Sequence, residues 1–147
     1  MSRKLAKFFG VLLTVLALAV TQIPVSDVEA VVTASDFQME GTQLLKYTGT
    51  AEVVSIPDGI KGIGEEAFAG NDYLVKVIVG GDVETVGHRA FADCANLRTI
   101  VIGDSVKELE TASFSNDKGL KNVTLGASLQ KIGSGVFAGD AMLEQLT

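Results

Sequence analysis

Four phenylalanines, Phe68, Phe91, Phe114 and Phe137, follow one another at intervals of 23 residues. A longer phrase recurs with them, clearest from Leu97: L-x-x-I-x-I, a turn, V-x-x-L, then a short segment closing on Phe. A fixed period of this length constrains the fold more tightly than composition does. One such unit is too small to enclose a core, so its apolar side must be buried against the units before and after it. The chain is therefore expected to wind as a solenoid.

The frame is regular from Val54 onward. Val54, Val77, Ile100 and Val123 form one column, and Ile56, Val79, Ile102 and Leu125 a second, two residues on. Side chains alternate across a strand, so both columns point into the coil. Ile60, Val83, Val106 and Leu129 follow, then Ile63, Val86, Leu109 and Ile132 three residues later, where a second short extended segment or tight turn fits. The phenylalanines come next, and Leu74, Leu97, Leu120 and Leu143 complete six apolar columns. Glu65-Glu66-Ala67-Phe68 and its copies are expected to form a single helical turn on the convex side, held by the buried ring because one turn cannot stand alone. Gly64, Gly87 and Gly133 precede it, where positive φ would be convenient; Glu110 takes that place in the third copy. Asn71, Cys94, Asp117 and Asp140 share one turn position, where Asn and Asp commonly bond nearby backbone amides and a small thiol can substitute.

The remaining segments do not share the period. Residues 1–30 carry a positive start (Arg3, Lys4, Lys7), an apolar run and a small-x-small site at Val28-Glu29-Ala30, which reads as a secretion signal cut after Ala30. An uncleaved anchor is the alternative, but the apolar stretch from Phe8 has 13 residues, against the roughly 20 of a spanning helix. No membrane insertion is expected after cleavage. Residues 31–52 read as a leader and a hairpin, Phe37-Gln38-Met39 and Leu44-Leu45-Lys46-Tyr47 around Gly41, capping the apolar end of the stack. Residues 53–147 are the array of about four repeats. Leu146-Thr147 would begin a fifth strand, and continuation of the array beyond Thr147 is the expectation, with Leu146 as a minimal cap the alternative.

Without residues 1–30 the chain loses three basic and two acidic residues, leaving nine against sixteen and a net charge of −7. An acidic surface opposes nucleic acid, whose phosphates must be neutralised by Lys and Arg. Cys94 is the only cysteine, so no internal disulfide and no finger-type metal cluster can form. No cofactor is implied.

The runs IPDGIKGIGEEAFAGNDYL at residues 56–74 and VETVGHRAFADCANLRTIVIGDSV at residues 83–106 resemble the BspA-type leucine-rich repeats, and DFQMEGTQLLKYTGTAEVVSIPDGI at residues 36–60 resembles the usual lead-in to such arrays. The resemblance implies a leucine-rich-repeat-type, β-rich solenoid: a right-handed coil with a parallel sheet and short helical turns. It also implies surface or secreted proteins that attach to host matrix proteins, cells and surfaces, or repeat regions of larger proteins. The third copy departs most, with Glu110 for Gly and Ser113 for Ala beside Phe114.

Reactive constellations fare poorly. Gly103-Asp104-Ser105 spells a hydrolase-like triplet, but its copies vary as turns vary, and a serine nucleophile needs a base. The one histidine, His88, shares its column with Glu65, Thr111 and Ser134 on the outer turn. Ser128-Leu129-Gln130-Lys131 matches S-x-x-K with no K-T-G after it. Asp58, Asp82 and Asp104 lie near the strand exits and Asp117 sits beside Asp140 in the ladder, without the dense oxygen donors calcium needs, and all are expected to be solvated turn carboxylates. Gly59-x-x-Gly62-x-Gly64 lacks the strand-to-helix setting of a phosphate loop.

The outward sheet positions are the better candidate: Ser55, Ile78, Val101 and Thr124, flanked by Lys76, Thr99 and Asn122, with Val53 beside them. Ile78 next to Val101 reads either as an exposed apolar pair that meets a ligand or as β-branched residues that merely suit a strand. The sequence thus points to an exported, non-catalytic module that binds protein or glycan along a sheet face, at the cell surface or released; a ligand-free spacer in a larger surface protein is the alternative.

Overall fold

The computed structural model describes residues 32–147; the expected export signal and its cleavage point lie outside the described residues. After a short 3-10 turn at Ala34–Asp36 come β1 (Phe37–Glu40), β2 (Gln43–Tyr47), β3 (Val53–Ser55), β4 (Gly62–Ile63), β5 (Lys76–Val79), β6 (Thr85–Val86), β7 (Thr99–Ile102), β8 (Glu108–Leu109), β9 (Asn122–Thr124), β10 (Lys131–Ile132) and β11 (Gln145–Leu146). The strands sort into two sheets that run along one stack. A five-stranded sheet has the order β11-β9-β7-β5-β3, and a six-stranded sheet the order β1-β2-β4-β6-β8-β10. Every pairing is parallel except the β1–β2 hairpin; from β3 onward every partner stands 23 residues away, as Val77↔Ile100 and Val86↔Leu109 do, while β2 meets β4 at a shorter interval, Leu44↔Ile63. Residues 53–75, 76–98, 99–121 and 122–144 are windings one to four, and β11 opens a fifth.

The register follows from the apolar columns. Val54, Val77, Ile100 and Val123 are all buried, as are the three large residues Ile63, Val86 and Leu109 of the second sheet. A slip of one residue would turn each strand's apolar side chains to solvent. In the fourth winding Leu125, Leu129, Phe137 and Leu143 pack on the core while partly exposed, and Ile132 is 52% exposed. That winding is covered by the third on one side and by β11 alone on the other.

The convex segment differs from the expected helical turn: among the described residues, the one helical element is the turn at Ala34–Asp36. The segment is a row of tight turns, with N–H to C=O bonds Ala67 to Gly64 (3.3 Å), Ala69 to Glu66 (3.2 Å) and Asn71 to Phe68 (3.1 Å). The alternate amides point along the stack instead, Glu66 to His88 (3.0 Å), Phe68 to Ala90 (2.7 Å) and Gly70 to Ala92 (2.9 Å). A helix would direct all of them inward along its own axis. Sharing them requires left-handed backbone at two positions per winding: Glu66, Arg89, Ala112 and Gly135 in one column, Gly70, Asp93, Asn116 and Gly139 in the other. The result is a third hydrogen-bonded ladder beside the two sheets.

Gly64, Gly87 and Gly133 are absent from the positive-φ positions, so backbone freedom is not their reason. A Cβ on Gly87 would lie 2.6 Å from the Ile63 carbonyl oxygen, and one on Gly64 2.8 Å from that of Leu44. These glycines let one winding's backbone approach the last. Glu110 keeps the equivalent bond to the Val86 carbonyl (2.9 Å) and turns its carboxylate onto the His88 amide (2.9 Å).

The hairpin is a cap and also the start of the coil. β2 pairs in parallel with β4, so Leu44 stands over Ile63. Tyr47 stacks on Phe68 at 4.9 Å between ring centroids, and Phe37 lies on Tyr47 at 5.1 Å. The four phenylalanines are thus part of a continuous column of six rings, continuing at 4.5, 5.1 and 5.8 Å with the Phe rings within 15° of parallel. Offset stacking at such separations adds to what burial of the rings supplies.

Candidate sheet-face site

The outward positions of the five-stranded sheet form two straight columns. In register run Val53, Lys76, Thr99, Asn122 and Gln145, and beside them Ser55, Ile78, Val101 and Thr124. Parallel pairing sets neighbours in each column about 4.8 Å apart. All seven candidate residues named from sequence lie on this one strip. Gln145 belongs with them; its signal was the start of a fifth copy of the strand phrase.

Ile78 and Val101 are half-buried, not fully exposed, because strands flank them on both sides; Ser55 and Thr124 are exposed, and Val53 is 39% exposed. Of the nine positions only Lys76 carries a charge. Charge lies elsewhere: Glu84 takes Lys107 (2.6 Å) and Lys61 (3.5 Å) on the second sheet, Lys131 pairs with Glu108 (2.5 Å), and Arg89 on the convex turns pairs with Asp93 (2.8 Å). Hydrogen bonds and charge from Lys107, then from Lys61, hold the Glu84 carboxyl below its ordinary range. The strip is therefore flat, nearly uncharged, and rich in hydroxyl, amide and β-branched groups. It can offer hydrogen bonds and van der Waals area.

The other motifs settle into turn structure. Ser105 donates its hydroxyl to the Gly81 carbonyl (2.7 Å) at a strand end. His88 Nδ1 lies 2.9 Å from the Thr111 carbonyl oxygen, on the convex turns. Asp82 accepts the Gly59 amide (3.0 Å) and Asp104 the Ala127 amide (2.8 Å), each reaching into a neighbouring winding. Among the described residues no group of three or more His, Cys, Asp or Glu side chains could hold a metal ion, and no helix is long and apolar enough to cross a membrane.

One column was misread from sequence. Asn71 does bond its own turn, accepting the amides of Tyr73 (2.9 Å) and Leu74 (3.2 Å). Asp117 and Asp140 instead reach back one winding, to the amides of Cys94 and Asp117, both at 2.8 Å. Cys94 is buried and turns its thiol to the Phe68 carbonyl (3.3 Å). Burial above all, then the neighbouring Asp117 carboxyl, pushes that thiol up to about 12, which makes it an inert ladder residue at neutral pH.

The parallel stack, the 23-residue register and the ladder of turns define a leucine-rich-repeat solenoid. Residues 41–147 match the BspA type leucine rich repeat region in six copies, and the chain belongs to that family. Among solved structures it is similar to the pneumococcal vaccine antigen PcpA, at 28% identity and TM-score 0.70 over 75% of this chain; it spans 28% of that antigen's length. It is also similar to a leucine-rich-repeat protein of T. pallidum (25% identity, TM-score 0.54, 76% of this chain and 68% of that one). A leucine-rich cell surface protein of Faecalibacterium prausnitzii shares the fold at 19% identity and TM-score 0.51, covering 71% of this chain and 34% of that one. A search of curated proteins finds no match.

Proposed function

We propose that the chain is an exported, non-catalytic repeat module that binds a protein or glycan along the face of the five-stranded sheet, at the cell surface or in the surrounding medium. The observation that carries this reading is the in-register strip of nine positions in which Lys76 is the one charged residue. Charged residues are depleted at the cores of protein interfaces, because burying a charge costs more than burying a neutral group. Membership of a family whose structural relatives include a vaccine antigen and a leucine-rich cell surface protein supports the location. The net negative charge argues against nucleic acid as the partner. No cofactor is invoked.

The test immobilises host-matrix proteins, glycans and bacterial cells and measures capture of the purified chain, beside an Ile78→Lys/Val101→Glu variant. Loss of capture by a variant with unchanged melting is the expected result. Capture unaffected by the double substitution would remove the face from the account. A second reading, a spacer without a ligand, is favoured by the small share of the antigen's length that the chain spans. Replacing the array, in its native context, with an unrelated rod of equal length separates the two: only a spacer tolerates the exchange.

A further inference from the structure

The column that sequence misread carries a consequence for how the stack responds to acid. Asp117 is fully buried in winding three. Its Oδ1 accepts the Cys94 amide, but its Oδ2, and that of Asp140 below it, is buried without a hydrogen-bond partner. No cation offsets these carboxyls: among the described residues neither has a salt bridge. The groups that face them are acidic from each neighbouring winding. Winding two presents Cys94 and Asp93, the latter already holding Arg89 and the Asn116 amide; winding one adds Asp72 near Cys94; winding four presents Asp140. Lys118, next in sequence, is exposed. A buried, unpaired carboxylate facing only acidic groups is costly, and the usual remedy is to keep the proton.

We propose that the Asn71–Cys94–Asp117–Asp140 column is a proton-held seam: windings three and four dock on the preceding ones with Asp117 in its acid form, so that acid tightens this part of the array and rising pH loosens it. Burial chiefly, with the Asp140 and Asp93 charges, raises the Asp117 carboxyl from 3.8 to about 9, and burial raises Asp140 to about 6. The direction is fixed by linkage. Both folded values lie above the unfolded one, so their contribution is whole below about pH 4 and is lost as pH climbs, through about 6 for Asp140 and about 9 for Asp117. Each proton kept by the folded chain and released on unfolding raises the unfolding constant tenfold per pH unit.

The experiment is urea unfolding of the full chain at pH 5, 6, 7 and 8, alongside Asp117→Asn. Asparagine already occupies this column at Asn71, keeps the oxygen that accepts the Cys94 amide and cannot ionise. The wild type is expected to unfold more readily with each step, by up to tenfold per unit for the Asp117 proton and by more between pH 5 and 6, where Asp140 also gives up its own, and the variant to lose the Asp117 share, which is most of the slope from pH 6 to 8. A wild-type unfolding constant that is flat or falls over this range, or a variant with the slope intact, overturns the proposal. The carbon-13 carboxyl resonance of Asp117 in the wild type decides independently, even if the variant fails to fold: the protonated shift at pH 7 is expected, and the carboxylate shift refutes it.

Discussion

Removing one ring from the middle of the aromatic column is the sharpest test of how the windings hold together. Phe91 is fully buried, with Phe68 at 4.5 Å on one side and Phe114 at 5.1 Å on the other, their planes within 15° and 10° of its own. Truncating a buried phenylalanine costs about 3–5 kcal/mol. The loss of two stacked neighbours, each pair worth roughly 0.5–1.5 kcal/mol beyond area, places Phe91→Ala in the upper half of that range. Phe137 is partly buried and has one ring neighbour, at 5.8 Å; its truncation should cost about 1–2 kcal/mol. A domain with about 5–15 kcal/mol of total stability feels the first change far more than the second. The chain has no tryptophan, so far-UV circular dichroism through a urea titration is the assay. In a stack where each winding touches only its neighbours, a cavity at the second winding also uncouples the two sides, and the Phe91→Ala transition should broaden as well as shift. Equal losses in the two variants, or a larger loss at Phe137, would refute the idea that the ring column couples the windings.

Further expectations are of the same kind. Gly87→Ala places a methyl against the Ile63 carbonyl of the preceding winding, which cannot yield as a flexible side chain could; a loss of about 1–3 kcal/mol is expected in a thermal melt. Tyr47→Phe keeps the stack on Phe68 and removes a hydroxyl buried beside the Ala51 backbone without a well-formed hydrogen bond, so melting should change by no more than about 1 kcal/mol. Ser105→Ala loses one turn bond to Gly81, about 0.5–1.5 kcal/mol; an ester- or peptide-cleaving activity that disappeared with it would contradict the reading of Gly103-Asp104-Ser105 as a turn.

What could be read in the sequence was whatever repeats at 23. The core columns, the parallel register and the outward strip from Ser55 to Thr124 all follow from that period and from strand alternation. Phe37 and Tyr47 escaped because they precede Phe68 by other intervals, the hairpin having replaced part of a winding. The convex segment was misread because Glu-Glu-Ala-Phe suits a helix locally; only the neighbouring winding, offering carbonyls to every second amide, makes left-handed backbone at Glu66, Arg89 and Ala112 worthwhile. Gly64, Gly87 and Gly133 were assigned the wrong reason for a related cause, since the close approach they permit is to a residue 20 or more positions away. The acid seam was invisible for the most physical reason. An aspartate in a turn looks solvated until the next winding covers it.

From β3 onward, successive windings lie side by side at a shift of 23 residues. The direct measurement pairs cysteines across one step of the outward strip, Thr99→Cys with Asn122→Cys, which are opposed on adjacent parallel strands. Their separation suits a disulfide, whose Cα atoms lie about 4.4–6.8 Å apart. Mild oxidation followed by peptide mapping should find this bond in high yield. Thr99→Cys with Val123→Cys, where Val123 turns into the core, should stay reduced. Bonding of the second pair in preference to the first would contradict the register, and with it the flat strip on which the proposed binding depends.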